Sequence, residues 1–258
     1  MQKSGLPPQA PQTTHRLFVD CPLAPGGAAP LESAQQNYLL NVLRLPEGAG
    51  LFVFNGRDGE FRARLTLASR KSAGLVVEEL TREQPVPPTL HYMFAPLKHA
   101  RLDYMVQKAV EMGAGTLAPV ITSRTQAARV NLDRMRANAI EAAEQCEILS
   151  LPEIIPEQSL AKALAAMPAG RLLIFCDEDA PVARPLAALH SAAQSSPASI
   201  AVLIGPEGGF DDAERALLLR QPGTLRLSLG PRVLRADTAA VAALAIVQAA
   251  LGDWGGAR

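Results

Sequence analysis

The chain has 258 residues, 48% hydrophobic and 19% charged, with 25 Lys/Arg balanced by 25 Asp/Glu. That length supports one large or two modest globular domains, and the zero net charge excludes generic, salt-driven adhesion to nucleic acid. With 4% aromatic residues and three scattered cysteines (Cys21, Cys146, Cys176), neither a stacking surface for single strands nor a disulfide framework is expected.

The opening segment, residues 1–14, lacks the apolar core of a secretory signal and reads as a mobile tail. Residues 15–82 are predicted to be mostly β. "LFVFNGRDGEFRARLTL" (Leu51–Leu67) alternates on both sides of Asn55-Gly56 and Asp58-Gly59, a hairpin signal. "AGLVVEEL" (Ala73–Leu80) supplies a further strand, and "SAQQNYLLNVLRLPEG" before the hairpin predicts a short helix ending at Pro46. One helix among short strands suggests a small barrel. Pro85, Pro87 and Pro88 mark a linker over residues 83–89.

From residue 90 onward strands and helices alternate, which predicts an α/β domain with a mainly parallel sheet over 90–258. "TLHYMFAPL" is a strand. Leu102, Met105, Val106, Ala109 and Val110 have helical spacing up to Gly113. "TLAPVIT" is another strand, Asn131 can cap the helix that follows, and "RLLIFCDED" and "SIAVLIGPEGG" are apolar enough to be buried on both faces. The longest strongly apolar stretch, Ala239–Val247, is about half a bilayer span. The four histidines (His15, His91, His99, His190) are isolated, so no metal site is expected, and a cytoplasmic setting follows from the cysteine usage. Charge is uneven: residues 98–136 carry seven Lys/Arg against three Asp/Glu. This segment is either a solvated helix face or a local basic surface.

Two strand–glycine loop–helix units stand in series. The first, "IAVLIGPEGGFDDAERALLL", has Asp211 and Glu214 at capping-box spacing. It matches neither GxxxxGK[ST] nor GxGxxG. Pro206 has no N–H to give a phosphate and Glu207 would repel one, so a neutral or cationic ligand fits better. The second unit, "TLRLSLGPRVLRADTAAVAALAIVQAAL", breaks at Gly230-Pro231; Asp237 or Thr238 can cap its helix. That helix, apolar all round, belongs in a core or against another subunit.

"GPEGGF" (Gly205–Phe210) and "LGPRVLRADTAAVAALAIVQ" (Leu229–Gln248) together resemble the bacterial family that methylates N3 of a uridine in 16S ribosomal RNA, of the SPOUT class. "VLRL" (Val42–Leu45), "KHARLDYMVQKAVEMG", "LAPVITSRTQ" and "EAAEQC" (Glu141–Cys146) match in the same order, so the resemblance spans roughly residues 15–250. It implies a PUA-like β-barrel domain, a SPOUT domain with a deep trefoil knot, a homodimer, and S-adenosylmethionine held by the knot loops. The implied cofactor residues are Leu203, Ile204, Gly205, Gly208 and Gly209 on the first loop, with Leu229, Gly230, Arg232, Val233, Leu234, Thr238 and Ala239 on the second. The family often has Thr-Glu where this chain has Ala236-Asp237, and Gly-Arg where it has Glu147-Ile148.

The implied reaction is attack by uridine N3 on the activated methyl, with loss of the N3 proton and negative charge on O2 and O4. Arg235 is expected to stabilise that charge. Glu207 or Asp237 is then the base or an orienter of Arg235, and Arg232 a second contact to uracil or phosphate. The 16S rRNA of the small subunit would be gripped by Arg16 and Arg44 in the barrel and by Lys98, Arg101, Lys108 and Arg124. A SPOUT enzyme acting on another rRNA or tRNA base, and a non-catalytic RNA-binding homologue, are the alternatives.

Overall fold

The computed structural model describes residues 15–255 except 70–71, 99, 128, 182–183 and 196. The segment read as a mobile tail (1–14) and His99 lie outside the described residues. Two compact units divide the chain: residues up to Val86 together with Ala143–Ser150, and Pro87–Ala142 with Leu151 onward.

In the first unit β1 (Arg16–Phe18), β2 (Ala28–Pro30), β3 (Gly50–Phe54), β4 (Glu60–Ser69) and β5 (Ser72–Arg82) form one sheet in the order β1-β3-β4-β5-β2. The hairpin predicted around Asn55-Gly56 joins β3 and β4. Asn55 closes its turn: its side-chain oxygen accepts from the amides of Arg57 and Asp58, and its side-chain NH2 donates to the Asp58 carboxylate at 2.6 Å. Alternation along the strands sends Leu51, Val53, Ala63, Leu65, Leu75 and Val77 to one core. Leu17 of β1 and Ala29 of β2, at opposite ends of the strand order, join the same cluster, so the sheet curls around it. The predicted helix is a single turn, α1 (Ser33–Asn37), continued by a π-helical turn over Tyr38–Val42. Arg44, at φ 54°, ends it in the left-handed region, and the amide of Leu45 donates back to the Leu39 carbonyl.

The second unit holds a parallel sheet in the order β12-β10-β11-β6-β7-β8, with β9 also paired to β7. Its strands are β6 (Leu90–Phe94), β7 (Ala114–Ile121), β8 (Glu153–Ile154), β9 (Gln158–Ser159), β10 (Arg171–Cys176), β11 (Ser199–Ile204) and β12 (Thr224–Leu227). Between them run α2 (Ala100–Glu111), α3 (Leu132–Gln145), α4 (Leu160–Ala165), α5 (Pro185–Ala193), α6 (Asp212–Arg220) and, last, α7 (Ala236–Leu251). β10 and β11 are buried on both faces, as their unbroken apolar runs require. Chain order reverses between β11 and β6, and open parallel sheets bind ligands beyond the strand ends at such a reversal.

Helix starts follow side-chain chemistry at two of the three predicted caps. Asn131 accepts from the amide of Arg134 at 3.0 Å, and Asp211 and Glu214 form a reciprocal capping box on α6. The third is a correction: neither Asp237 nor Thr238 caps α7. Its N-cap is Arg235, without a side-chain cap, and both residues lie inside the first turn. There the Asp237 carboxylate accepts from the Thr238 amide at 2.9 Å, and the positive end of the helix dipole favours its charge. Along α7, Ala236, Ala240, Ala243, Leu244 and Val247 form a stripe covered within the chain, while Val241, Ala242, Ala245 and Ile246 are half-buried.

Candidate functional site

A cavity of about 870 Å³ opens at the C-terminal ends of β10, β11 and β12. Its walls are residues 176–178 after β10, 204–210 after β11 and 228–234 after β12, and it is closed by Ala236 and Ala239 of α7. The β11 loop is a tight turn in which the amide of Gly209 donates to the Pro206 carbonyl at 2.9 Å, with Gly209 at φ 69°. Glu207 stands at its exposed tip. Phe210 anchors the far side: its ring is buried and meets Phe175 edge-on at 5.0 Å. A Cβ on Gly205 would come within 2.5 Å of that ring, so only glycine lets the loop fold back over its anchor. From outside, Arg124 donates to the Gly208 carbonyl at 2.6 Å.

The charge of the lining decides what it suits. Asp177, Glu178 and Glu207 face Arg232, the one basic residue among the described lining. Asp177 is fully buried and hydrogen-bonded to Arg215 (3.1 Å) and Arg226 (2.7 Å). Burial alone would raise its pKa, but those bonds and the Asp179 amide hold it below the ordinary value. Asp177, Glu178 and Asp179 lie close enough to share a cation, and the Arg215 guanidinium reaches all three. Glu178 and Glu207 line the cavity with arginines beside them, Arg215 and Arg101, and a described lining with three carboxylates and one basic residue disfavours a polyphosphate. Burial, with Asp177 beside it, pushes the Cys176 thiol up to about 12, so the thiol stays protonated.

Of the residues expected to hold the cofactor, Ile204, Gly205, Gly208, Gly209, Leu229, Gly230, Arg232, Val233, Leu234 and Ala239 line this cavity. Leu203 is fully buried in the core beneath β11, and Thr238 is exposed on α7; neither is in the lining. Arg235 is exposed, between two lining residues, Leu234 and Ala236. Glu207 and Asp237 are expected as the base or as orienters of Arg235, and a different cation stands beside both. The cation is Arg101 of α2, ion-paired to Glu207 and 3.8 Å from Asp237.

The other basic candidates have varied surroundings. Arg16 is nine-tenths buried, bonded to Glu60 at 2.6 Å and to Glu147 at 3.0 Å. Lys108 donates to Glu111 at 2.7 Å and lies over the Tyr104 ring. Arg44 and Lys98 are exposed. The residue pattern alone does not single out the β10 loop: "CDED" reads as a strand end, and its acidic cluster beside a central parallel strand is the available signal. Nor does it single out Tyr92, whose hydroxyl is fully buried without a hydrogen bond and whose pKa burial, with Cys176 and Asp237 nearby, raises well above the ordinary value.

Comparison with known proteins bears on this geometry. Residues 82–248 match the RNA methyltransferase domain family and residues 31–78 the RNA methyltransferase PUA domain family. The ribosomal RNA small subunit methyltransferase E of Rickettsia conorii is 31% identical over 235 residues, covering 91% of this chain and 95% of that protein. The enzyme of that name from Neisseria gonorrhoeae, solved with bound S-adenosylmethionine, superposes with a TM-score of 0.79 at 26% identity, covering 92% of this chain and 98% of that one. A Legionella pneumophila chain, also solved with bound S-adenosylmethionine, gives a TM-score of 0.76 at 30% identity over the same shares.

Proposed function

This chain belongs to the RNA methyltransferase family and carries the PUA domain of such enzymes, and from that premise we propose that it methylates N3 of a uridine in 16S rRNA of the small ribosomal subunit. It is an S-adenosylmethionine-dependent rRNA methyltransferase with a PUA-like domain ahead of a SPOUT-type α/β domain. The observation that carries the reading is the glycine-walled cavity over β10, β11 and β12, whose described lining holds three carboxylates and one arginine. When bound there, S-adenosylmethionine supplies a methyl group on a sulfonium cation, with no phosphate for Glu207 to repel.

The residues divide the remaining work. Backbone groups of residues 204–205 and 229–234 hold adenine and ribose between close-set loops. Glu207, at the tip of its turn, takes the proton from uridine N3. Arg101 holds that carboxylate and draws Asp237 to it, so Asp237 acts through position. Arg235, at the cavity mouth, meets the negative charge of the incoming nucleotide. Arg44 is exposed and suited to phosphate, whereas Arg16, Lys108 and Arg124 are engaged with protein groups.

We also read the chain as a cytoplasmic homodimer with a trefoil knot through the β11 and β12 loops. The half-buried Val241, Ala242, Ala245 and Ile246 on α7 and the exposed Val233 support a second copy packing near the site. Among the described residues no helix is long and apolar enough to cross a membrane. The test is incubation of the protein with labelled cofactor and small subunits lacking the modification, followed by nucleoside mass spectrometry. Label in 3-methyluridine is expected; label on any other nucleoside overturns the assignment.

A further inference from the structure

A second cavity, of about 230 Å³, adjoins the first. Pro206 and Glu207 line both, so the tip of the β11 loop is the wall between them. Lys98 at the end of the β6 loop, Arg101 of α2 and Gln126 of the β7 loop form the rest of its polar lining, and Pro96 and Leu97 are buried beside them. At this size it falls below the roughly 300 Å³ at which sites for drug-sized ligands begin, so it suits a single ring rather than a second cofactor.

We propose that this cavity is the seat of the target uracil, with Lys98, Arg101 and Gln126 as hydrogen-bond donors to O2 and O4 and Glu207 as acceptor of the N3 proton. The imide edge of uracil presents acceptor, donor, acceptor in that order. Its complement is donor, acceptor, donor, and the cavity brings three donor side chains together with one carboxylate. Cytosine presents an unprotonated N3 beside an amino donor, and would set donor against donor and acceptor against acceptor. Pro96, Leu97 and Pro206 are apolar surfaces for the ring faces.

The position of the shared wall accounts for the chemistry. The N3 proton passes to a Glu207 oxygen, leaving on N3 a lone pair for a methyl that the cofactor would present past the Pro206–Glu207 tip, where the two cavities adjoin. That pair forms the N–C bond as the C–S bond of the sulfonium breaks, its electrons returning to sulfur. Lys98 and Arg101 stabilise the negative charge shared by O2 and O4 until then. Glu207 returns its proton to water after product leaves.

This seat rests on the uridine-methylation reading, and the experiment separates the two. Full-length protein and its Lys98→Ala and Gln126→Ala variants are assayed on small subunits lacking the modification. Three quantities are read: turnover at saturating subunits, cofactor affinity by calorimetry, and the salt dependence of subunit binding. Both side chains are exposed, so the fold is not at stake. Each variant is expected to lose about 100-fold in turnover, with cofactor affinity and salt slope unchanged. Subunits with the target uridine replaced by cytidine should be refused by the wild-type protein. A Lys98→Ala variant with normal turnover and a salt slope lower by about 1 makes Lys98 a phosphate contact and overturns the seat. So does methylation of the cytidine substrate at a comparable rate. A wild-type protein that binds the cofactor but leaves uridine N3 unmethylated overturns the parent reading, and the seat with it.

Discussion

Arg101 is ion-paired to Glu207, 106 residues away in sequence, and the same guanidinium lies 3.8 Å from Asp237. One cation on α2 thus engages both the β11 loop and the first turn of α7. The side chains of Arg101 and Glu207 are 34% and 42% exposed, a setting in which an ion pair contributes about 0–1 kcal/mol to stability. The value of this arrangement therefore lies in where it holds a carboxylate. Arg101→Ala should change unfolding free energy by less than about 1 kcal/mol while lowering turnover about 100-fold. Arg101→Lys keeps the charge but not the planar fork, and should recover only part of the loss. Urea denaturation beside single-turnover kinetics reads both quantities, and a turnover loss explained by unfolding would remove the positioning role.

Arg235 has a different standing. It caps α7 through its backbone alone, and its exposed side chain leaves it free to meet substrate rather than brace the loops. Arg235→Ala should abolish turnover, a loss on the order of 100-fold or more, with cofactor affinity within a few-fold of wild type. Calorimetric titration of the variant with S-adenosylmethionine, alongside the methylation assay, tests this; near-normal turnover would strike Arg235 from the site.

Local chemistry made some of this legible beforehand. The Asn55-Gly56 turn and the Asp211/Glu214 capping box need only neighbours within five residues, and both stand where the residue pattern puts them. The two glycine loops were found because each ends an apolar run. What could not be read depended on distant parts of the chain. β1 and β2 have three residues each and exist through their partners β3 and β5. The β10 loop enters the site because β10 lies between β11 and β12, an order that no local signal carries. Asp237 misled because an acid near a helix start suits both the cap and the first turn, and the backbone chose the second. Arg101 was grouped with phosphate contacts because its charge is local, while its carboxylate partners are not.

Glu147 links sequence and strain in the first unit. It has φ 60°, in the left-handed region that costs a residue with a Cβ about 1–2 kcal/mol, and it stands where the resembled family often has glycine. Its carboxylate pairs with Arg16 at 3.0 Å, but it is 61% exposed, so the pair offsets at most about 1 kcal/mol of that strain. Glu147→Gly should therefore be at least as stable as wild type. Glu147→Ala, which keeps the strain and loses the pair, should be less stable than the glycine variant by about 1 kcal/mol. Chemical denaturation of the three proteins under one condition gives the order, and an alanine variant equal to the glycine variant would mean that the backbone strain carries no cost.

His91 gives the second unit a pH dependence of predictable sign. Burial within β6, reinforced by the Arg171 charge, pulls its pKa from the ordinary 6.5 to about 4. Between those two values the unfolded chain binds a proton that the folded chain refuses, so the stability due to a neutral His91 is full above pH 6.5 and is lost as pH falls towards 4. His91 is only half-buried, which reduces the effect, and the expected loss between pH 7.5 and pH 5 is about 1–2 kcal/mol. Replacing it with a side chain that does not titrate, His91→Gln, should leave the variant less sensitive to acid by that amount, whatever its stability at neutral pH. Urea titrations of both proteins at the two pH values measure the difference. Equal losses would mean that His91 takes up its proton in the folded protein as readily as in the unfolded chain.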